Sequence, residues 1–161
     1  MYKKVKRFSL LAAVFGFISF SSFCQYKTAV GVRFNSAPAL TIKHALSKKN
    51  AIEGLLFGYG NGLTGTLLYE VHQNLGEKNL RWYYGAGGHL GVWREGRRRY
   101  GPYYIEDGGF HLGADGILGI EYTFSGAPLN LSLDWKPAFQ IIGNPGLYLG
   151  DVGLSLRFAV R

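Results

Sequence analysis

Cysteine is almost missing from this 161-residue chain: the single one, Cys24, closes an apolar N-terminal stretch. One cysteine makes no internal disulfide and no Cys-based metal site. Acidic residues are also few, 10 Asp and Glu against 18 Lys and Arg, and charged residues amount to only 17 %. There are 5 prolines and no G-X-Y period, which excludes a collagen-like chain. Beyond Cys24 no run reaches the ~18 uninterrupted apolar residues that a membrane-spanning helix requires. What the chain has in excess is glycine, 24 residues, twice the ~7 % of ordinary proteins, beside 16 % aromatics. Glycine disfavours helix interiors by ~1 kcal/mol each, and 47 % apolar residues is too many for a disordered tail. The composition argues against a helical protein.

The first 24 residues have the three parts of a secretory signal. Lys3, Lys4, Lys6 and Arg7 form a positive segment, Phe8 to Phe20 an apolar one, and Ser22 and Cys24 supply small side chains before a cut at Gln25. Residues 25–161 then form one domain. The signal takes four of the 18 basic residues, so the formal charge falls from +8 to +4. That is too mild and too scattered for a nucleic-acid partner.

After residue 25, apolar and polar residues alternate with period 2, the mark of half-buried strands. Eight segments are bounded by Gly, Pro, Asn or Ser: 26–34, 39–47, 51–59, 62–73, 80–92, 109–124, 128–138 and 147–160. In the last, Val152, Leu154, Leu156, Phe158 and Val160 oppose Gly153, Ser155, Arg157 and Ala159. The third is less regular, because Glu53 falls in phase with Leu55, Phe57 and Tyr59; a bulge or an interfacial position would accommodate it.

A soluble sandwich or lipocalin-like barrel would bury the apolar faces, whereas a membrane barrel turns them outward to lipid. Two features favour the second. The fifth, sixth and eighth segments carry long apolar faces, fitting the ~9–11 residues of a tilted spanning strand better than the ~5–6 of a globular one. The aromatics also sort to strand ends. Tyr26, Tyr69, Trp82, Tyr84, Tyr122 and Phe124 fall at one rim, Phe34, Tyr59, Trp135 and Tyr148 at the other, as two interfacial girdles would. The expected fold is an eight-stranded antiparallel up-and-down transmembrane β-barrel following a cleaved signal peptide. Eight strands leave a lumen that side chains fill. Its candidate charge network is Arg33, Lys43, Glu70, Arg81, Asp115, Glu121, Asp134, Lys136 and Arg157, five basic and four acidic groups. Gly31, Gly85, Gly87 and Gly113 would make room for the long cations.

With both termini on the periplasmic side, the turns there are Ser47–Asn50, Gln73–Asn79 and Ser125–Pro128. The outer connections are Asn35–Pro38, Gly60–Asn61, Trp93–Gly108 and Ala138–Gly146. The long third connection carries Arg94, Arg97, Arg98, Arg99, Tyr100, Tyr103 and Tyr104. Arg and Tyr favour binding hot spots, and guanidinium pairs well with lipopolysaccharide phosphates; alternatively these arginines pair with Glu95, Glu106 and Asp107 in a solvated loop.

The runs NAIEGLLFGYGNGLTGTLLYEVH, LRWYYGAGGHLGVW, DGILGIEYTF and PLNLSLDWKPAFQIIG resemble a family of small outer-membrane β-barrel proteins common in Bacteroidota. The resemblance covers most of residues 26–160. It implies an eight-stranded outer-membrane barrel with no established activity and no catalytic residues or cofactor. The last strand also looks like the insertion signal read by the barrel-assembly machinery, through Asp151, Gly153, Leu156 and Phe158, although the chain ends on Arg161 rather than an aromatic.

The expected role is therefore structural, or surface binding through the 93–108 loop, in a monomer in contact with outer-membrane lipid and lipopolysaccharide. Two alternatives stay open. One is a lipid A-modifying enzyme, for which His89 with Asp115 or His111 with Asp107 is conceivable general-base geometry, but no tight nucleophile signature accompanies them. The other is a narrow, porin-like channel. The Gly-rich run Tyr84–Gly91 lacks the Gly-Lys-Ser/Thr ending of a phosphate loop. A two-His metal site lacks a third ligand in the sequence.

Overall fold

The structure is a computed structural model that describes residues 27–59, 62–93, 98–100, 103–105 and 109–160. The expected signal segment 1–24, Tyr26 and the Gly60–Asn61 turn lie outside the described residues. Twelve strands and no helix occur among them: β1 Thr28–Phe34, β2 Ala39–Ala45, β3 Asn50–Tyr59, β4 Gly62–Asn74, β5 Leu80–Trp93, β6 Arg98–Tyr100, β7 Tyr103–Ile105, β8 Gly109–Thr123, β9 Leu129–Trp135, β10 Ala138–Ile142, β11 Gly146–Tyr148 and β12 Val152–Val160. Each of β1 to β4 pairs antiparallel with the next, β5 with β8, β8 with β9, and β9 with β12. β12 returns to β1 through seven pairs from Thr28↔Val160 to Phe34↔Leu154. The result is a closed eight-stranded antiparallel barrel, and closure removes the free edges that an open sheet would expose.

Burial along the strands is inverted relative to a soluble protein. On β12 the polar Ser155 and Arg157 are buried, while Leu154, Leu156 and Phe158 are exposed. The same holds on β9, where Asn130, Ser132 and Asp134 face in and Leu131, Leu133 and Trp135 face out. Tyr69, Trp82, Tyr84, Tyr122 and Phe124 lie toward the turn end, where Trp82 stacks on Tyr84 at 5.3 Å and Tyr122 meets Phe124 edge-on at 5.0 Å. At the loop end, the Trp135 indole donates to the Leu149 carbonyl at 2.6 Å.

Three features depart from the sequence expectation. First, β3 carries no bulge: its register with β4 runs unbroken from Asn50↔Val71 to Tyr59↔Gly62. Its inward face is Ala51, Glu53, Leu55 and Phe57, and Leu56 faces out. Leu55 and Phe57, with Ala37, Ala39, Leu68, Tyr83 and Ile117, form a small hydrophobic core inside the barrel. Second, the outer connection expected over 138–146 is mostly strand. β10 continues the line of β9 beyond Pro137 along β8, from Ala138↔Asp115 to Ile142↔Leu112, and β11 pairs back on it. The hairpin turn is thereby reduced to residues 143–145, where Gly143 (φ 88°) and Asn144 (φ 112°) take the left-handed backbone that suits these residue types. Third, the long loop contains a short hairpin, β6 against β7, with Arg99↔Tyr104 in register.

The glycines divide into two kinds. A Cβ at Gly31, Gly85 or Gly87 would strike the backbone of the neighbouring strand, so these residues permit close strand approach rather than room for long cations. At Gly91, Gly113, Gly119 and Gly153 a Cβ would strike the side chains of His111, His89, Tyr83 and Arg33 respectively, and at the first three a backbone carbonyl as well. These four are the seats of the large polar side chains that fill the lumen.

Candidate functional site

Alternation on the wall strands delivers one side chain in two to the lumen, and most of the charged groups there are fully buried. Eight of the nine expected network residues, Arg33, Lys43, Glu70, Asp115, Glu121, Asp134, Lys136 and Arg157, are buried inside the barrel. The ninth, Arg81, is only half-buried, because it is the second residue of β5 and stands at the turn-end mouth, opposite Glu121 in register. Two acids join the network: Glu53, from the inverted face of β3, and Asp151, expected only as part of the insertion signal. The buried charges are thus four basic and six acidic, not five and four, with His72 and His89 set against carboxylates.

The network falls into two clusters. Toward the loop end, Arg33 grips Asp134 with Nε at 3.0 Å and Nη2 at 2.6 Å, and donates Nη1 to Asp151 at 2.9 Å. Lys136 bridges Asp151 at 3.2 Å and Asp115 at 2.8 Å, and His89 Nδ1 lies 2.7 Å from Asp115. Asn35, in the turn between β1 and β2, donates to Asp151 at 2.8 Å. Toward the turn end, Arg157 pairs with Glu53 and donates to Thr41 at 3.0 Å and Ser132 at 2.7 Å. Lys43 lies 2.8 Å from Glu70, 3.2 Å from Glu53 and 3.6 Å from Glu121, while His72 touches Glu70 at 3.0 Å and Glu121 at 3.2 Å.

Tyr83 joins the two clusters. Its hydroxyl donates to Asp134 at 3.4 Å, Lys43 Nζ sits 4.1 Å from its ring centroid, and His72 stacks on it at 5.1 Å. Burying this many charges costs several kcal/mol per ion unless each is paired and hydrogen-bonded, and bidentate or multiply shared contacts of this kind provide that compensation. The arrangement is a cross-braced plug.

At the loop-end tip of the lumen the histidines meet. His89 on β5 and His111 on β8 lie 5.8 Å apart, and His111 Nε2 is 3.1 Å from the Thr64 hydroxyl. The expected His89–Asp115 contact is therefore present, whereas Asp107, expected beside His111, lies outside the described residues. Among the described residues no group of three His, Cys, Asp or Glu is placed to hold a metal ion.

The expected binding loop is described only in part. Arg94 and Arg97 lie outside the described residues. Arg98, Arg99 and Tyr100 are on β6, and Tyr103 and Tyr104 on β7; their side chains are not among the described atoms. In the expected insertion signal, Asp151 and Gly153 face the lumen, and Leu156 and Phe158 face outward.

Sequence reasoning gave Asp151 only to the insertion signal, although it stands in phase with Gly153, Ser155 and Arg157 on the polar face of the eighth segment, which was the available signal. It missed Gln140 because residues 138–142 read as a connection; the alternation Ala138, Gln140 against Phe139, Ile141 was the available signal. The chain matches no family model, no curated protein and no solved structure.

Proposed function

We propose that this protein is an outer-membrane β-barrel, exported through its N-terminal signal, with a side-chain-filled lumen and a structural or surface-binding role. The observation that carries the reading is the inverted burial. Leu40, Leu67, Leu90, Phe139, Val152 and Phe158 are each at least half exposed around the wall, while six acids and four cations are buried inside. Water would penalise such an exterior, since soluble monomers rarely expose apolar patches beyond a few hundred Å². Lipid favours it, and aromatic rims at both ends fit the two bilayer interfaces. On this reading the turn end faces the periplasm, and the 93–108 loop, with its arginines and tyrosines, faces lipopolysaccharide. The barrel-assembly machinery inserts the chain through β12.

The test is folding into detergent or lipid. The unboiled mature protein is expected to migrate differently from the boiled protein on a denaturing gel and to give a β-type circular dichroism spectrum. Identical migration with a helical spectrum removes the reading. The His89–Asp115 contact gives the lipid A-modifying alternative its one structural support; an unchanged lipid A acyl pattern with and without the gene removes that alternative.

A further inference from the structure

We propose that the turn-end rim over β1 to β3 is a binding site for the headgroup of an anionic phospholipid, with Lys27, Lys48 and Lys49 as its cationic residues. The site rests on the outer-membrane reading and deepens it, by assigning a lipid class to one arc of the wall.

The charge here is one-sided. No Asp or Glu precedes Glu53 in the chain. That first carboxylate is turned into the lumen, where Arg157 and Lys43 hold it. Strands β1 to β3 therefore bring lysines to their turn end and no acid to answer them. Lys27, Lys48 and Lys49 are all exposed, and none has an ion-pair partner among the described residues. On the next turn, between β4 and β5, Glu77 precedes Lys78 and the excess is absent.

The fold holds the three lysines on one arc. The Ala45 amide donates to the Lys27 carbonyl at 2.8 Å, and Lys48 follows Ala45 by three residues, at most about 11 Å of chain. The turn that carries Lys48 and Lys49 is tied from within. The Ser47 hydroxyl accepts from the amides of Lys49 at 3.2 Å and Asn50 at 3.1 Å, and the Leu46 amide donates to the Asn50 carbonyl at 2.9 Å. The Lys49 carbonyl accepts from the His72 amide at 2.6 Å, which pins the turn to β4. Two adjacent lysines thus stand on a fixed backbone, which lowers the ordering cost of binding.

The wall below these lysines is apolar. Val30, Ile42 and Leu46 are 43 %, 51 % and 53 % exposed, so acyl chains have a surface directly under the charge. The outer row nearest the rim runs Thr28↔His44↔Ile52↔Tyr69, with the Thr28 hydroxyl and His44 Nδ1 2.8 Å apart. Among the described residues no Trp, Tyr or Phe stands at the turn end of β1, β2 or β3, whereas β5 and β8 bring Trp82, Tyr84 and Tyr122 there. The aromatic girdle is interrupted where the lysines gather. Rings suit the interface whatever the headgroup; unpaired lysines above an apolar wall suit a negative one, and each strengthens association about fivefold. A free anion would use the lysines and leave the wall idle, so the occupant is a lipid.

The experiment folds the mature chain into phosphatidylcholine vesicles carrying spin-labelled phosphatidylglycerol or spin-labelled phosphatidylcholine, and reads the motionally restricted lipid by electron paramagnetic resonance. Phosphatidylglycerol is expected to show an excess equivalent to one site per barrel, held at least about fivefold more tightly than phosphatidylcholine. The excess should vanish near about 1 M salt, where the Debye length is about 3 Å. Lys48→Gln with Lys49→Gln should remove most of it, and Lys27→Gln should weaken it by up to about fivefold. Lys78→Gln should leave it unchanged. An excess that survives high salt, or that follows Lys78 instead of the three lysines, overturns the site; so does displacement by inorganic phosphate, which would assign the rim to a free anion. The unboiled-gel shift is read on every sample. A chain without the shift removes the membrane reading and the site with it, whereas a shifted barrel that binds the two lipids equally removes the site alone.

Discussion

At Gly153 a Cβ would fall on the Arg33 guanidinium, which holds both Asp134 and Asp151. Each of the three guanidinium nitrogens already donates to one of those carboxylates, so the guanidinium cannot yield without abandoning a buried carboxylate. Breaking a buried pair in this way costs about 3–5 kcal/mol, because it leaves an uncompensated charge. Gly153→Val should therefore lower unfolding stability by about that amount in urea titration of the detergent-folded barrel. Gly65→Ala is the matched control, since a Cβ there meets nothing within 4 Å, and its effect should stay within about 0.5 kcal/mol. Equal effects of the two would show that the Arg33 seat is not what Gly153 provides. Glu53→Leu probes the other cluster. It removes the carboxylate shared by Arg157 and Lys43, and by the same reasoning should cost about 3–5 kcal/mol. If Glu53 instead faced the outside, as its phase with the apolar residues of β3 could suggest, the leucine would stabilise the barrel.

β3 shows what period 2 can and cannot tell. On β9 and β12 the alternation of polar and apolar residues names the two faces at once, and the structure has the same faces. On β3 the residues in phase with Glu53 are Leu55 and Phe57, so pattern alone leaves open which face is inside. The answer comes from partners distant in sequence: Arg157, 104 residues away, pairs with Glu53 and fixes the charged side inward. Leu55 and Phe57 follow Glu53 into the lumen, where Leu68, Ile117 and Tyr83 receive them. The β9–β10 junction was illegible for a different reason. Pro137 lacks an amide hydrogen and reads as a strand end, yet its carbonyl accepts from Gly116 at 2.8 Å and the strand line resumes at Ala138. A nitroxide scan tests the faces. Labels at Leu56 and Leu67 should be open to lipid-dissolved oxygen, whereas labels at Leu55 and Leu68 should be shielded. Reversal of the order on β3 alone would mean that its register is displaced by one residue.

For the molecule as a whole, the two consequences of an inside-out barrel can be separated by experiment. An apolar exterior predicts sensitivity to charge on the wall. Leu67 is 62 % exposed near the middle of β4, so Leu67→Arg should cost about 2–4 kcal/mol in a bilayer, against about 0.5 kcal/mol or less on a water-facing surface. A filled interior predicts something else, silence in a planar bilayer. Tyr83 ties the two ionic clusters together at the centre, with its hydroxyl on Asp134 and its ring against both Lys43 and His72. Arg157 fills the neighbouring layer between Glu53, Thr41 and Ser132. Eight strands enclose a space that side chains of this size occupy fully, so the wild-type barrel should give no steady conductance steps. Removing both fillers, Tyr83→Ser with Arg157→Ser, deletes the cross-brace and leaves Glu53, Glu70 and Asp134 with fewer cations around them. The double variant, where it still shifts on an unboiled gel, should pass small cation-selective currents. Steady steps from the wild type would contradict the plug, and silence from a folded double variant would place the seal elsewhere in the lumen, with the apolar group around Phe57 and Ile117 next to be opened.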